Sequence, residues 1–393
     1  MSLVLNLDLT DYSIFLYLQQ NPSLSNRAIA EKVGVSPESV RTRIHTMKSK
    51  GFLRPDRTVN VPLLGERLQT EVEAQYLPSS LGLERQHVIF RGIPDRASLN
   101  VLKRICNDHP YTHYRTTAYG NNASLYTQFD IPHAISHLMQ RLYQSLQDLN
   151  LFEDFIILQP QYTVKNTVDF ERWNLDENKW ILNPDIKSSA TTKSSGLEFV
   201  WSNFLENRNL ESPANTETPN LVRKLDKLDM LLLRELTVNS RLRLKSLAGI
   251  YGKDATTISR RIKKIKENVA PILLLYYDRS VFGLTYPQII TGNFKTGEDF
   301  TSETFYGFIN SGELPFECSA AIDDHSFLLY LTVPPSIASE FSEFIWDHAE
   351  NMTVFQLQLN ASFTYYFYHE NYAGKGNWKD EEDYVLNSVL SGL

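Results

Sequence analysis

This sequence predicts an α+β fold built from two winged helix-turn-helix domains and two ferredoxin-like βαββαβ domains, arranged as an internal duplication. Three observations lead there. First, ordered blocks repeat: Leu7-Asp8-Leu9-Thr10-Asp11 returns 218 residues later as Leu225-Asp226-Lys227-Leu228-Asp229, and the same offset aligns Ala30 with Ala248, Gly34 with Gly252, and Val40–Ile44 with Ile258–Ile262. Second, each block opens with three short stretches of helical apolar spacing, each closed by capping residues. Third, strand and helix patterns then follow in the order β-α-β-β-α-β in both halves.

The elements of the first copy can be justified in order. Asp8 to Asn21 carries Leu9, Ile14, Leu16 and Leu18 and stops at Asn21-Pro22. Ser25 is a good N-cap for a second helix with Ile29 and Val33 at i, i+4, closed by Gly34. Ser36 caps a third helix with Pro37 at the tolerated first position, and Val40, Ile44 and Met47 form its single buried stripe. After Gly51, residues 52–61 with Pro55-Asp56 as a turn read as a two-stranded wing. The second copy repeats this with Leu228–Leu236, then Leu247 and Ile250, then Gly252, with Asp254 as cap and Ile258, Ile262 and Ile265 as stripe.

Beyond the first wing the pattern predicts strands over 87–93, 111–119, 123–131 and 152–164, with helices over 95–108 and 133–149. The second copy predicts strands over 287–295, 316–322, 326–333 and 354–367, with helices over 301–310 and 337–350. Pro132 and Pro334 both fall between third strand and second helix, where a missing N–H costs little. Trp173 near Leu182-Asn183 aligns with Trp378 near Leu386-Asn387. The expected domains are 1–61, 62–183, 221–280 and 281–393, with a Ser/Thr/Asn/Pro-rich linker over 184–220 that holds a short docking helix at Leu197–Leu205.

Composition limits the function classes. At 42% hydrophobic and 22% charged residues, wholesale disorder, collagen-like structure and coiled coil are excluded. Cys106 and Cys318 are too few for a disulfide scaffold or a cysteine-based zinc site and suit a reducing cytosol. Met1 to Asn6 has no basic n-region, and no run approaches 18 apolar residues, so the expectation is a soluble, cytoplasmic protein without membrane contact. A net charge of −7 argues against nucleic acid only if the charge is evenly spread. It is not: residues 36–54 carry +4, residues 253–268 carry +4, and the remaining 358 residues carry −15.

The residues 7–11, Asn21-Pro22-Ser23-Leu24-Ser25, Ile29 through Pro37 and Val40 through Gly51 resemble the Lrp/AsnC (feast/famine) transcription regulators. That resemblance implies a winged helix-turn-helix followed by a RAM-like (ACT-like) βαββαβ effector-binding domain, double-stranded DNA as partner, a possible small-molecule effector at the βαββαβ interface, and a homodimer. Family members carry one such unit, whereas this chain carries two in tandem. Gly120 keeps the family's glycine-bearing turn in the first copy, and Asp323-Asp324-His325 replaces it in the second.

Rotating about the buried stripe at 100° per residue places Glu38, Ser39, Arg41, Thr42 and His45 on the face presented to base edges. Arg43, Lys48, Lys50 and Arg54 are the matching phosphate candidates. The second copy offers Thr256, Thr257, Ser259, Arg260 and Lys263 to bases, and Lys253, Arg261, Lys264 and Lys266 to phosphates. Two chemically different faces imply two unequal half-sites. The bland alternative for any basic helix surface is a solvated face, and winged helices also serve as interaction modules.

Other constellations carry less. His133 and His137 sit at i, i+4, but without partners they read as solvated side chains, so no metal or cofactor is expected. Asp323-Asp324-His325 reads as a hairpin turn, and Phe363 to Tyr368 as a strand buried on both faces or at a dimer contact. No P-loop, nucleophile elbow, dinucleotide fingerprint or zinc signature appears, so an enzyme is not expected. The alternatives are an interaction scaffold and an enzyme: the architecture is also similar to siroheme decarboxylases, which use His and Arg near a tetrapyrrole, and that resemblance would assign such roles to His109, His113 and Arg115.

Overall fold

The computed structural model describes residues 7–53, 57–60, 67–70, 72–182, 196–207, 220–295 and 299–392. It is a mixed α+β structure that begins with a winged helix-turn-helix and continues into a large sheet. Asp8 caps α1 (Leu9–Gln20), Ser25 caps α2 (Asn26–Val33) and Ser36 caps α3 (Pro37–Ser49), each side chain accepting a backbone N–H of the first turn. Gly34 ends α2 at φ 77°, a left-handed turn that glycine adopts without a Cβ clash. The wing is displaced from its expected place: β1 (Arg57–Asn60) pairs with β2 (Arg67–Thr70), beyond the boundary expected at 61. The expected Pro55-Asp56 turn lies outside the described residues.

β3 (Val72–Gln75) then leads into β4 (Leu83–Arg91), α4 (Arg96–Asp108), β5 (Thr112–Tyr119), β6 (Ala123–Pro132), α5 (Ser136–Asp148) and β7 (Asp154–Leu158). β7, β4, β6 and β5 are neighbours in that order. The strand expected over 152–164 does not run on. After Pro160, which has no N–H to give a ladder, β8 (Tyr162–Asn166) pairs instead with a strand of the second half. A small hairpin follows, β9 (Trp173–Asn174) with β10 (Lys179–Trp180). Next comes α6 (Gly196–Asn207), whose Trp201 packs on Phe308 at 5.1 Å and Phe300 at 5.6 Å between ring centroids.

A second three-helix unit comprises α7 (Lys227–Val238), α8 (Leu244–Tyr251) and α9 (Ala255–Asn268). Asp226 and Asp229 form a reciprocal capping box at the start of α7, and Asp254 caps α9. β11 (Ile272–Leu275), β12 (Tyr286–Phe294), α10 (Ser302–Asn310), β13 (Cys318–Ile322), β14 (Ser326–Val333), α11 (Pro335–His348) and β15 (Ala349–Leu357) complete the second half. Its strand order, β15-β12-β14-β13, mirrors the first. Here too the long strand expected over 354–367 divides, and β16 (Phe363–Tyr365) crosses to β5. A last hairpin joins β17 (Tyr372–Gly374) to β18 (Asn377–Trp378).

Pairing of β15 with β5, Gln356 opposite Tyr119 and Leu357 opposite Ala118, joins both four-stranded ladders into one sheet of twelve strands among the described residues. The two inner faces meet through Ile89, Tyr126 and Leu158 of the first half and Ile289, Leu328 and Phe355 of the second. These residues are buried at the interface where a small-molecule effector is expected. The outer edges of β13 and β5 are occupied by β8 and β16, so these edges are closed within the chain. Gly120 serves close approach, because a Cβ there would meet the Val354 carbonyl oxygen at 3.2 Å. Asp323 forms the expected turn, its carboxylate accepting the N–H groups of His325 at 2.8 Å and Ser326 at 2.6 Å.

Packing also crosses between halves. Phe15 of α1 stacks on Phe282 at 5.5 Å, and Phe170 and Trp173 close around the same ring. The core of α7–α9 includes Leu81 and Leu83 from the first half and Phe367 and Trp378 from the tail. Trp180 donates Nε1–H to the Phe282 carbonyl at 2.8 Å, and Trp378 donates to Leu81 at 2.9 Å. The hairpin geometry therefore makes Trp180, not Trp173, the counterpart of Trp378, which corrects the alignment drawn from spacing.

Two glutamines at matching strand positions differ in one respect. Gln86 accepts the Tyr143 hydroxyl at 3.1 Å, whereas Gln288, 1% exposed, has no protein partner for either amide atom among the described residues. A buried amide without partners costs about 1–3 kcal/mol. Gln288→Leu is therefore expected to raise unfolding stability by about 1–2 kcal/mol in urea titration. A stability equal to or below that of the parent protein would refute it.

Candidate nucleic-acid interface and a buried polar cluster

The cap at Ser36 and the buried contacts of Val40 and Met47 decide which side of α3 faces water. Glu38, Arg41, Thr42 and His45 are exposed and Ser39 is half-buried. Arg41 forks onto Glu38 at 2.9 and 2.6 Å, with both side chains more than two-thirds exposed. That hydrogen bond holds the Glu38 carboxyl below its usual range. Lys50 is exposed at the C-terminal end and Lys48 is half-buried. Arg54 lies outside the described residues.

Arg43 does not extend outward. Its guanidinium joins Asp8 at 2.7 Å and Asp11 at 2.8 Å, tying α3 to the start of α1, and the Asp8 carboxyl is lowered by the bond from Arg43. Arg261 does the same for α9, meeting Asp226 and Asp229 at 2.8 Å each. Each member of the second triad lies 218 residues after its counterpart in the first. Both arginines, expected on phosphates, thus act first in holding a helix in place.

On α9, Thr256, Ser259, Arg260 and Lys263 are exposed, with Lys263 3.8 Å from Glu267. Thr257 is half-buried, and its hydroxyl donates to the exposed cap carboxylate of Asp254 at 2.7 Å. Of the expected phosphate contacts, Lys253 is exposed, and Lys264 reaches the Lys224 carbonyl at 2.9 Å. Lys266 is half-buried, its ammonium 3.3 Å from the Ser240 carbonyl, and burial lowers its pKa. Lys266, expected on a phosphate, is thus partly withdrawn from the surface.

The two three-helix units are joined directly. β3 and β11 form a four-pair antiparallel ladder, Leu53 bridges to Tyr277, and the N–H groups of Asp278 and Leu77 bond to the carbonyls of Phe52 (2.7 Å) and Val269 (2.8 Å). A groove of about 400 Å³ runs beside α3, lined by Ser25, Arg41, Thr42, His45 and Lys48 with Arg241 from the other unit. Its counterpart beside α9, about 460 Å³, is lined largely by leucines with Ile262 and Lys266.

A second feature was not anticipated. On the inner face of β4 and β6, Arg85 makes a two-pronged bond to Asp130 at 2.7 and 2.8 Å. The Tyr76 hydroxyl also bonds Asp130, and His113 Nδ1 lies 3.2 Å from it. Gln128 donates to the Tyr126 hydroxyl at 2.6 Å, and that hydroxyl lies 2.8 Å from His87 Nδ1. Burial alone would raise the Asp130 carboxyl, but Arg85 and His113 beside it bring it down to about 2. Burial pushes the His87 imidazole down to about 3, so it is neutral. In the second half the matching cross-strand pairs are Pro287 with Thr332 and Ile289 with Tyr330, and a different pair lies there, Arg279 bonding Glu317 and donating to the Thr332 hydroxyl at 3.1 Å. Its sequence signal was the i, i+2 spacing of Arg85 with His87 and of Tyr126, Gln128 and Asp130 on strands of otherwise apolar residues.

His109, His113 and Arg115 do not converge. Only His113 belongs to this cluster. His109 is fully buried, its ring edge-on to Phe129 at 5.1 Å, and Arg115 bonds Asn107 of α4 and Tyr365 of β16. The run from Phe363 to Tyr368 is packed inside the chain, with Phe363 under the Arg115 guanidinium at 4.1 Å. His133 meets Glu84 at 2.7 Å on the surface. Among the described residues, no helix is long and apolar enough to cross a membrane.

Residues 7–54 match the winged helix-turn-helix DNA-binding family model. No curated protein shows significant sequence similarity to the chain. Among solved structures, the chain is similar to the siroheme decarboxylase NirDL at 12% identity and a TM-score of 0.52, over 98% of this chain and 99% of that one. The same enzyme in complex with an iron-uroporphyrin III analogue matches at 11% identity and 0.52, over 97% and 99%. The AsnC protein of E. coli matches at 20% identity and a TM-score of 0.28, over 40% of this chain and 93% of that one. At these identities the likeness is one of fold. The whole-chain match overturns the expectation that the chain is not an enzyme, because the complete architecture is one that a decarboxylase has.

Proposed function

We propose that this chain is a DNA-binding regulator that carries two non-identical winged helix-turn-helix units in one polypeptide and reads two unequal half-sites. The observation that carries the reading is the pair of exposed helix faces, Glu38, Arg41, Thr42 and His45 on α3 against Thr256, Ser259, Arg260 and Lys263 on α9. The family match over residues 7–54 supports the first unit. The matched triads around Arg43 and Arg261 support treating α7–α9 as a second copy of the same plan, hence an internal duplication. One chain then suffices to present both helices. Selection of duplexes from a random pool, followed by mobility shifts at two salt concentrations, tests this. Binding should fall steeply with salt and favour an asymmetric bipartite sequence. Equal affinity for either half-site duplicated as a palindrome would remove the reading.

A second reading, action on a tetrapyrrole, is favoured by the whole-chain likeness to a siroheme decarboxylase. The polar residues that do converge are Arg85, His87, His113 and Asp130. The cavity lined by Asp130, Tyr76 and Thr112 measures about 20 Å³, room for a single water, so these residues do not form a tetrapyrrole cradle in this conformation. Titration with an iron tetrapyrrole, followed by its Soret band, tests this reading, and an unshifted band would end it.

A further inference from the structure

Resting on the reading of α3 and α9 as two recognition helices, we infer that Arg241 is a positioning residue that sets the half-site spacing this chain selects. Two helices borne by separate chains adjust their separation through the chain–chain interface. Here the separation is built into one polypeptide. The ladder between β3 and β11 joins the units, with Val72 opposite Leu275 and Gln75 opposite Ile272. A two-stranded ladder twists readily, and the Leu53–Tyr277 bridge and the Asp278–Phe52 and Leu77–Val269 hydrogen bonds continue along its line, so together they fix an axis better than an angle about that axis.

Arg241 adds a restraint on that angle. It lies in the turn between α7 and α8, and its Nε and Nη2 both donate to the Pro22 carbonyl, at 3.2 and 2.5 Å, in the matching turn between α1 and α2. The neighbouring Ser240 N–H bonds the Val72 carbonyl at 2.8 Å, so the contact is anchored at the end of the ladder. The Arg241 side chain is exposed and also lines both the groove beside α3 and the groove beside α9. The residue aligned with it in the first copy is Ser23, so the latch is one-sided and both of its strong donors depend on a single side chain. A guanidinium can place two donors on one carbonyl in a fixed plane, whereas a lysine ammonium cannot reproduce that fork.

Rigid spacing has a measurable consequence. When two sites are presented at a matching separation, the second contact forms at high effective concentration, and a half-turn error on the duplex puts the second site on the wrong face. The test uses the full chain and the selected duplex with its half-sites moved apart in single base-pair steps, compared with a duplex carrying one half-site. The parent protein should show a spacing optimum at least about 30-fold tighter than a site displaced by five base pairs. Arg241→Ala and Arg241→Lys should reduce that ratio to about threefold or less while leaving single half-site affinity within about twofold. A retained sharp optimum in both variants would overturn the role assigned to Arg241. Equal losses on single and bipartite duplexes would also overturn it, since Arg241 would then act in general binding or folding. If the parent protein binds no duplex at all, the DNA reading itself fails and this inference with it.

Discussion

Replacing Arg41 and Lys50 together by alanine is expected to weaken binding of the selected duplex by about 10- to 300-fold and to lower the magnitude of the salt slope by about one to two. The estimate combines a guanidinium that reads a base edge with an ammonium that neutralises a phosphate. In the free protein Arg41 is held by Glu38, and both are more than two-thirds exposed. An exposed pair three residues apart on a helix is screened by solvent and contributes little, so a guanine edge can displace the carboxylate. Arg43→Ala is the informative control. Because Arg43 bridges Asp8 and Asp11, its loss should lower folding stability by about 1–2 kcal/mol and leave the salt slope of binding unchanged. Unchanged affinity in the Arg41/Lys50 variant, or a slope change on losing Arg43, would reverse these assignments.

Acid should destabilise the chain well before its carboxylates titrate. His87 and His109 are both buried, and burial lowers each to about 3. In the unfolded chain a histidine titrates near 6.5, so between those values the unfolded state binds protons that the folded state refuses. Stability is therefore complete above about pH 6.5 and declines as the pH falls, by about 2 kcal/mol per histidine at pH 5. The sum, about 4 kcal/mol, is a large share of an ordinary domain's margin. Asp130 does not contribute in that window. Its folded value of about 2 lies below the unfolded carboxylate value, so its stabilisation disappears only as the pH falls from about 4 to 2. Urea midpoints at pH 7.5 and 5.0 measure the effect. His109→Gln, whose amide oxygen can still accept the Tyr111 N–H, should remove about half of the difference. A midpoint that does not change between the two pH values would refute the account.

The local parts of the fold were legible because their causes are local. Ser25, Ser36 and Asp254 cap the helices expected of them, and the stripes at Val40 and Met47 and at Ile258, Ile262 and Ile265 are the buried ones. Three misplacements share one physical origin. The wing extends past 61 and the strands over 152–164 and 354–367 each divide, since an apolar run shows that a segment is buried without showing against what. Trp173 was aligned with Trp378 by spacing, whereas the donor geometry selects Trp180. The cationic helix faces were readable from charge and phase. The inner-face cluster was not, because Arg85, Asp130 and Tyr76 are brought together by a ladder and a neighbouring unit.

By itself, then, the sequence determined the helices, their caps, which face of α3 and of α9 is wet, and the β-α-β-β-α-β order, all set by backbone propensity and by contacts within a few residues. Only the tertiary structure decided which cations remain at the surface. Arg43 and Arg261 meet carboxylates that lie 32 and 35 residues away, and Lys266 is drawn under a carbonyl 26 residues away. It also decided where β8 and β16 pair, and that Arg85, Tyr76, His113 and Asp130 meet on one inner face. The physical reason is the same in each case. Charge pairing and strand pairing act through space at a few ångströms, and residue spacing along the chain carries no record of which distant group will arrive there.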